Sequence, residues 1–112
     1  MWGWGKTEKN GSIGARLGVP EPESAQTLAL YQFASCPYCQ RVMQAARRLS
    51  IDLDLRDTLR DPEARSWLRA ATGGTQVPCL AINGEPLLES ADIIDWLEAY
   101  AKVRGGGAAN RS

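Results

Sequence analysis

Hydrophobic and polar positions divide the chain into three unequal parts. Residues 1–27 show no period of two or of a helical turn, and are rich in Gly, Ser, Pro, Glu and Lys. They read as a flexible or loosely attached arm, in which Trp2 and Trp4 either lean on the surface or form a docking motif for a partner. Residues 103–112, VRGGGAANRS, are polar and glycine-rich and predict a frayed tail. Between them, residues 28–102 carry the regular patterning of one folded domain.

LALYQFA (28–34) is a short apolar run with aromatics, suited to a buried strand. Pro37 then opens a helix whose apolar positions Tyr38, Val42, Ala45, Ala46 and Leu49 share one face, with Gln40, Arg41, Gln44, Arg47 and Arg48 on the wet side. IDLDLRD (51–57) alternates and predicts a half-buried strand. Asp61-Pro62 supplies a capping carboxylate and a proline where a helix needs no donor. That helix turns Trp67, Leu68 and Ala71 inward and stops at Gly73. VPCLAI and PLLE flank Asn83-Gly84, the dipeptide that best suits a tight hairpin. Ser90 caps a final helix, ADIIDWLEAYAK, with Ile93, Ile94, Leu97 and Ala101 on its buried stripe. The order is β-α-β-α-β-β-α, an α/β domain with a four-stranded mixed sheet flanked by helices.

Composition narrows the function. The 112 residues suffice for one modest core. Thirteen basic and thirteen acidic residues cancel, which argues against nucleic acid or an anionic membrane surface as the main partner. No apolar run reaches the roughly 18 residues a membrane span needs, and the N-terminus has no apolar core of a secretory signal. Three cysteines, an odd number, do not make a stapled secreted scaffold. A reducing, cytoplasm-like compartment and a monomeric state are expected.

The chemistry concentrates in FASCPYCQRV, where Cys36 and Cys39 bracket Pro37-Tyr38 at the point where strand gives way to helix. A structural zinc site wants four Cys or His ligands; the chain has no histidine, and only Cys79 could join the pair, so no metal is expected. A permanent disulfide across so small a loop would remove little chain entropy. A redox role accounts for the positions. With Pro37 as the first helical residue, Cys36 becomes the N-cap, and its sulfur can accept from the N–H groups of Tyr38 and Cys39 at the positive end of the helix dipole. Cysteines so placed favour the thiolate. Cys39, one turn in, would keep its proton until it resolves a mixed disulfide.

Two further stretches stand out. In GGTQVPCLAI, Val77-Pro78 precedes a strand; an ordinary trans proline and a cis one both fit the dipeptide. Cys79 reads as a buried small hydrophobe, with a third redox thiol as the lesser reading. In LLESADIIDWL, Glu89-Ser90-Ala91-Asp92 sits at a helix N-terminus, with Ser90 as a plain cap or the turn as an anchor for a ligand carboxylate.

Taken together, C-P-Y-C, T-x-V-P and E-S-x-x-I-I-x-W-L resemble a glutaredoxin of the dithiol type, within the thioredoxin superfamily. The last motif is similar to that of the glutathione-transferase N-terminal domain. The resemblance covers residues 28–102 and implies a thioredoxin-like fold with glutathione as co-substrate. It implies that Cys36 takes up glutathione as a mixed disulfide, that Cys39 resolves it, and that Tyr38 lines the groove. The Val77 backbone beside Pro78 would pair with the cysteinyl part of glutathione. Ser90 and Ala91 would hold the γ-glutamyl carboxylate and Asp92 its amino group, with Gln76 and Arg41 as candidates for the glycyl carboxylate.

Two features depart from the glutaredoxin pattern. Leu88-Glu89 stands where Gly-Gly is common, and Tyr31-Gln32-Phe33-Ala34-Ser35 offers no cation where a lysine a few residues before the cysteine is common, which leaves Arg41 the nearest basic candidate. The expected activity is glutathione-dependent reduction of disulfides in proteins or small molecules. The competing readings are a non-catalytic transferase-like binding module, an iron–sulfur carrier ligated by Cys36 and glutathione, and a thioredoxin-type enzyme served by a reductase. A complete transferase is disfavoured, because the patterned region ends near residue 102 without a second helical domain.

Overall fold

Pairing between Tyr31 and Cys79 joins the two central strands of the computed structural model, which describes residues 12–108. Strand β1 (Leu28–Gln32) lies parallel to β2 (Asp54–Asp57) and antiparallel to β3 (Cys79–Ile82), which pairs with β4 (Glu85–Leu88). The sheet order is β2-β1-β3-β4. Helix α1 (Ile13–Leu17) precedes the sheet, α2 (Pro37–Arg48) and α3 (Pro62–Thr72) flank β2, and α4 (Ser90–Ala108) closes the chain. The four-stranded mixed α/β architecture matches the expected order.

Alternation along the strands divides the core in two. Leu30, Leu80, Ile82 and Leu87 face α2 and α4, where they meet Val42, Ala46, Ile93, Trp96 and Leu97. Tyr31, Cys79 and Ala81 face the other way, onto Ala64 and Leu68 of α3. There the Tyr31 and Trp67 rings stack at 4.4 Å. Each large apolar side chain buried in this way contributes about 1.5–3 kcal/mol relative to exposure.

The local signals act as read. Asp61 Oδ1 accepts from the Glu63 N–H at 3.0 Å, and Gly73 ends α3 in the left-handed region at φ 82°. Asn83 and Gly84 adopt φ 52° and 84°, the pair of positive values that a two-residue hairpin of this twist requires.

Several expectations are corrected. Residues 12–27, read as part of a flexible arm, lie folded against the core: Ile13, Leu17, Val19 and Ala25 pack on it, and the Trp96 indole donates to the Pro20 carbonyl at 3.0 Å. Glu21 holds α1 in place by accepting from the Gly14 and Ala15 N–H groups and from the Ser12 hydroxyl. These bonds, led by that of Ser12 and opposed by partial burial, keep the Glu21 carboxyl below its usual value. Trp2 and Trp4 lie outside the described residues. The first strand stops at Gln32, and the second begins at Asp54, because Ile51 plugs the core after α2 instead of pairing. Leu55 is 51% exposed on the outer strand. Tyr38 points into solvent, with Cys39 taking its place on the buried face of α2, and Ala71 is exposed. The last helix runs on to Ala108, into the stretch expected to fray.

Candidate functional site

Three loops meet at one end of the sheet for reasons of register. Tyr31 pairs with Cys79 and Cys79 with Leu88. The segments leaving β1, entering β3 and leaving β4 therefore share an edge, which brings together the neighbourhoods of Cys36, Val77-Pro78 and Glu89-Ser90.

Cys36 sits at the N-cap of α2 with extended φ and ψ, and Pro37 is the first helical residue. Its Sγ accepts from the Cys39 N–H at 3.3 Å. The expected second bond, from Tyr38, is not formed, because Sγ aligns with the N–H three residues on. The Cys36 carbonyl accepts from Gln40 at 3.0 Å, and the Gln40 amide donates back to Ala34 O at 2.6 Å, so the loop before the cysteine is tied to the first turn of the helix.

Among the three cysteines only Cys36 keeps exposed surface, at 7%; Cys39 and Cys79 have none, and all three are free. Burial, reinforced by hydrogen bonding to Cys36, pushes the Cys39 thiol up to about 12. Burial, opposed by a backbone hydrogen bond with Leu87, pushes Cys79 to about 11. The pair is thus asymmetric: one sulfur at a helix N-terminus and one thiol held protonated beneath it.

Around this pair, Tyr38 is 58% exposed and Arg41 lies over its ring at 5.8 Å, a shelf formed by one turn of α2. The Val77-Pro78 bond is cis, with Pro78 buried and Val77 half-buried. Val77 makes no backbone hydrogen bond among the described residues. Gln76 is exposed in the same loop, on the far side of Gly73 and Gly74 from α3. Ser90 is half-buried, Ala91 exposed and Asp92 half-buried in the first turn of α4.

Ser90 is the first residue of this helix and not its cap. The turn is made one residue earlier by Glu89, whose φ of 76° lies in the left-handed region and whose carbonyl accepts from Ile93 N at 3.0 Å. A non-glycine residue held there costs on the order of 1 kcal/mol, and such residues collect at functional sites. The sequence marks Glu89 as part of this helix start and as a departure from Gly-Gly, but its positive φ is not written in a glutamate.

Among the described residues, no group of three or more Cys, Asp or Glu side chains gathers as a metal site, and no helix is long and apolar enough to cross a membrane. A cavity of about 630 Å³ opens on the α3 side of the sheet between Ala29, Tyr31, Asp54 and Arg56. None of the candidate site residues lines it.

The family model for the glutathione S-transferase N-terminal domain matches residues 30–104. A Tau class glutathione S-transferase from mango superposes with a TM-score of 0.58 at 19% identity, covering 69% of this chain and 35% of that one. A trimeric glutathione transferase from Leishmania gives 0.56 at 30% identity, over 66% of this chain and 17% of that one. A glutaredoxin from Brucella melitensis gives 0.54 at 23% identity, over 73% and 88%. The chain therefore spans about a third or less of the two transferases and most of the glutaredoxin. Comparison with curated proteins gives no match. The fold these neighbours share is thioredoxin-like.

Proposed function

The chain belongs to the glutathione S-transferase N-terminal domain family, and from that premise we propose that it is a glutathione-dependent thiol–disulfide oxidoreductase. The observation that carries the proposal is the 3.3 Å hydrogen bond from the Cys39 N–H to Cys36 Sγ at the start of a 12-residue helix. The bond aims a backbone N–H at that sulfur, at the positive end of the helix dipole.

In the first step the Cys36 thiolate attacks the glutathione-side sulfur of a mixed disulfide. The substrate S–S bond breaks, the Cys36–glutathione disulfide forms, and the substrate thiolate leaves and takes a proton from water. A second glutathione thiolate then releases oxidised glutathione and regenerates Cys36. Alternatively Cys39 gives up its proton and displaces glutathione, closing a Cys36–Cys39 disulfide that two glutathiones reduce. The high proton affinity of Cys39 favours the first route whenever glutathione is plentiful.

Glutathione would lie across the three loops. The open backbone of Val77 beside Pro78 would pair with its cysteinyl unit, and the N–H groups of Ser90 and Ala91 would receive the γ-glutamyl carboxylate at the N-terminus of α4. Asp92 would meet the amino group, while Arg41 and Gln76 would border the glycyl end and Tyr38 the groove. A reducing, cytoplasm-like setting would supply the glutathione, and a single chain holds every residue invoked.

The test is turnover of the mixed disulfide between 2-mercaptoethanol and glutathione, coupled to glutathione reductase. The proposal expects turnover that requires glutathione and disappears in Cys36→Ser. Turnover without glutathione, absence of turnover in the wild-type chain, or undiminished turnover in Cys36→Ser overturns it.

A further inference from the structure

Strand β2 is the outer strand on its side of the sheet, and its pairing fixes which backbone groups are free. The Thr58 N–H donates to Gln32 O at 3.0 Å, and Gln32 pairs with Asp57. In a parallel ladder alternate residues turn both backbone groups to the partner strand. Asp54, Arg56 and Thr58 therefore face β1, while Leu55 and Asp57 face the open edge. The Asp57 carbonyl is taken by Asp61 N at 2.9 Å. Among the described residues the N–H and C=O of Leu55 have no partner.

Beside this edge, between β2 and α2, lies a cleft of about 460 Å³ lined by Gln32, Ala34, Gln44, Arg47, Leu55 and Asp57. Gln32 is 7% exposed, and its side-chain amide makes no hydrogen bond to another described residue. A buried amide left unpaired is costly, so a polar occupant is favoured. The one carboxylate and the one cation that line the cleft are unequally satisfied. Asp57 Oδ1 already accepts from the N–H groups of Leu59 and Arg60. The ion pairs among the described residues are Arg48–Glu98 and Arg56–Asp54, which leaves Arg47 without a carboxylate. Leu55, half exposed between them, offers an apolar contact that charged edge strands normally avoid.

We infer that this cleft is a second docking site, which takes an extended acidic segment of a protein substrate as an added strand on β2. The segment's backbone pairs with Leu55, an apolar side chain covers the Leu55 side chain, and a carboxylate enters the cleft to meet the Arg47 guanidinium and the Gln32 amide. Ala34 links the cleft to the catalytic loop, two residues before Cys36, so a segment held here flanks a disulfide presented to that sulfur. The inference rests on the thiol–disulfide reading only for the nature of the partner; the binding itself does not need turnover.

The first probe is a peptide of about ten residues alternating valine and glutamate, a length that covers a short edge strand, titrated into the isotope-labelled full chain. The Leu55 backbone amide and the Gln32 side-chain amide are expected to shift together, and Arg47→Glu to abolish both shifts. A valine–lysine peptide is expected to restore them on Arg47→Glu. Shifts that are absent from wild type, or that survive Arg47→Glu with the acidic peptide, overturn the inference. The kinetic counterpart uses the same acidic peptide bearing a glutathionylated cysteine. Arg47→Glu should lower its kcat/KM by about tenfold, the scale of one lost charge-assisted contact, and leave the 2-mercaptoethanol disulfide unchanged. Equal loss on both substrates overturns it. Lack of wild-type turnover on the small disulfide would instead count against the oxidoreductase reading and leave the titration to decide the docking site.

Discussion

The indole N–H of Trp96 donates to the carbonyl of Pro20 at 3.0 Å, across 76 positions of sequence. Trp96 is fully buried at the centre of the core, so this bond fastens the N-terminal segment to the helix that also carries Ser90 and Asp92. The segment is a structural part of the domain.

Gly14 tests that fastening. A β-carbon there would stand 2.6 Å from Glu21 Cδ and 2.7 Å from the Val19 carbonyl oxygen. Alanine gains about 1 kcal/mol of helix propensity over glycine, but an overlap with backbone costs about 1–3 kcal/mol. The overlap wins because Val19 O cannot rotate aside. Gly14→Ala should lower the melting temperature by several degrees, roughly 4–8 °C per kcal/mol for a domain of this size, and speed tryptic cleavage after Arg16. An unchanged melting curve would show that the segment does not bear on stability.

Asn83 performs two tasks at the hairpin. Its Oδ1 accepts from Gln26 N at 2.7 Å and Thr27 N at 3.1 Å, and its Nδ2 donates to Ser24 O at 3.0 Å. It also holds φ at 52°. Asn83→Ala removes three partly solvated bonds and places a strained residue in the turn, for a loss of about 2–3 kcal/mol. Chemical denaturation is the check, and Asn83→Asp, which keeps the acceptor, should lose less.

Buried thiols set an alkaline limit. Cys39 and Cys79 rise from 9.0 to about 12 and about 11, mainly through burial. Above pH 9 the unfolded chain releases protons that the folded chain retains, so stability is complete below that value and falls as pH climbs toward 11. Tyr31, raised by burial, adds to the same trend. Denaturant midpoints should decline from about pH 9 to about pH 11, and Cys79→Ala should make the decline shallower. A flat profile would contradict the burial of these groups.

The parts of the fold legible in the sequence were those written locally. Asp61-Pro62, Gly73 and Asn83-Gly84 each impose a conformation through their own chemistry, and Cys36-Pro37 announces a capped helix in the same way. The parts that were not legible depend on tertiary context. Ile-Asp-Leu-Asp-Leu alternates like a half-buried strand, yet Ile51 turns into the core and Leu55 faces solvent, because β2 lies at an edge. Residues 12–27 have no amphipathic period because a five-residue helix held by Glu21 needs none. Trp96 was readable from its spacing with Ile93, Leu97 and Tyr100, and its omission from the buried stripe was an error of pattern. Within the site, the cysteine pair was visible from spacing, but the left-handed turn at Glu89 and the near-burial of Cys36 were not.

That near-burial identifies the decisive measurement. The account requires the sulfur of Cys36 to meet a glutathione sulfur although the residue is only 7% exposed. Cys39→Ser, incubated with oxidised glutathione near neutral pH and analysed by intact and peptide mass, traps the first covalent step. The account predicts one glutathione per chain, confined to Cys36, with Cys79 unmodified. No adduct, or an adduct that forms on Cys79 as fast as on Cys36, would contradict it and leave a thioredoxin-fold binding module without this chemistry.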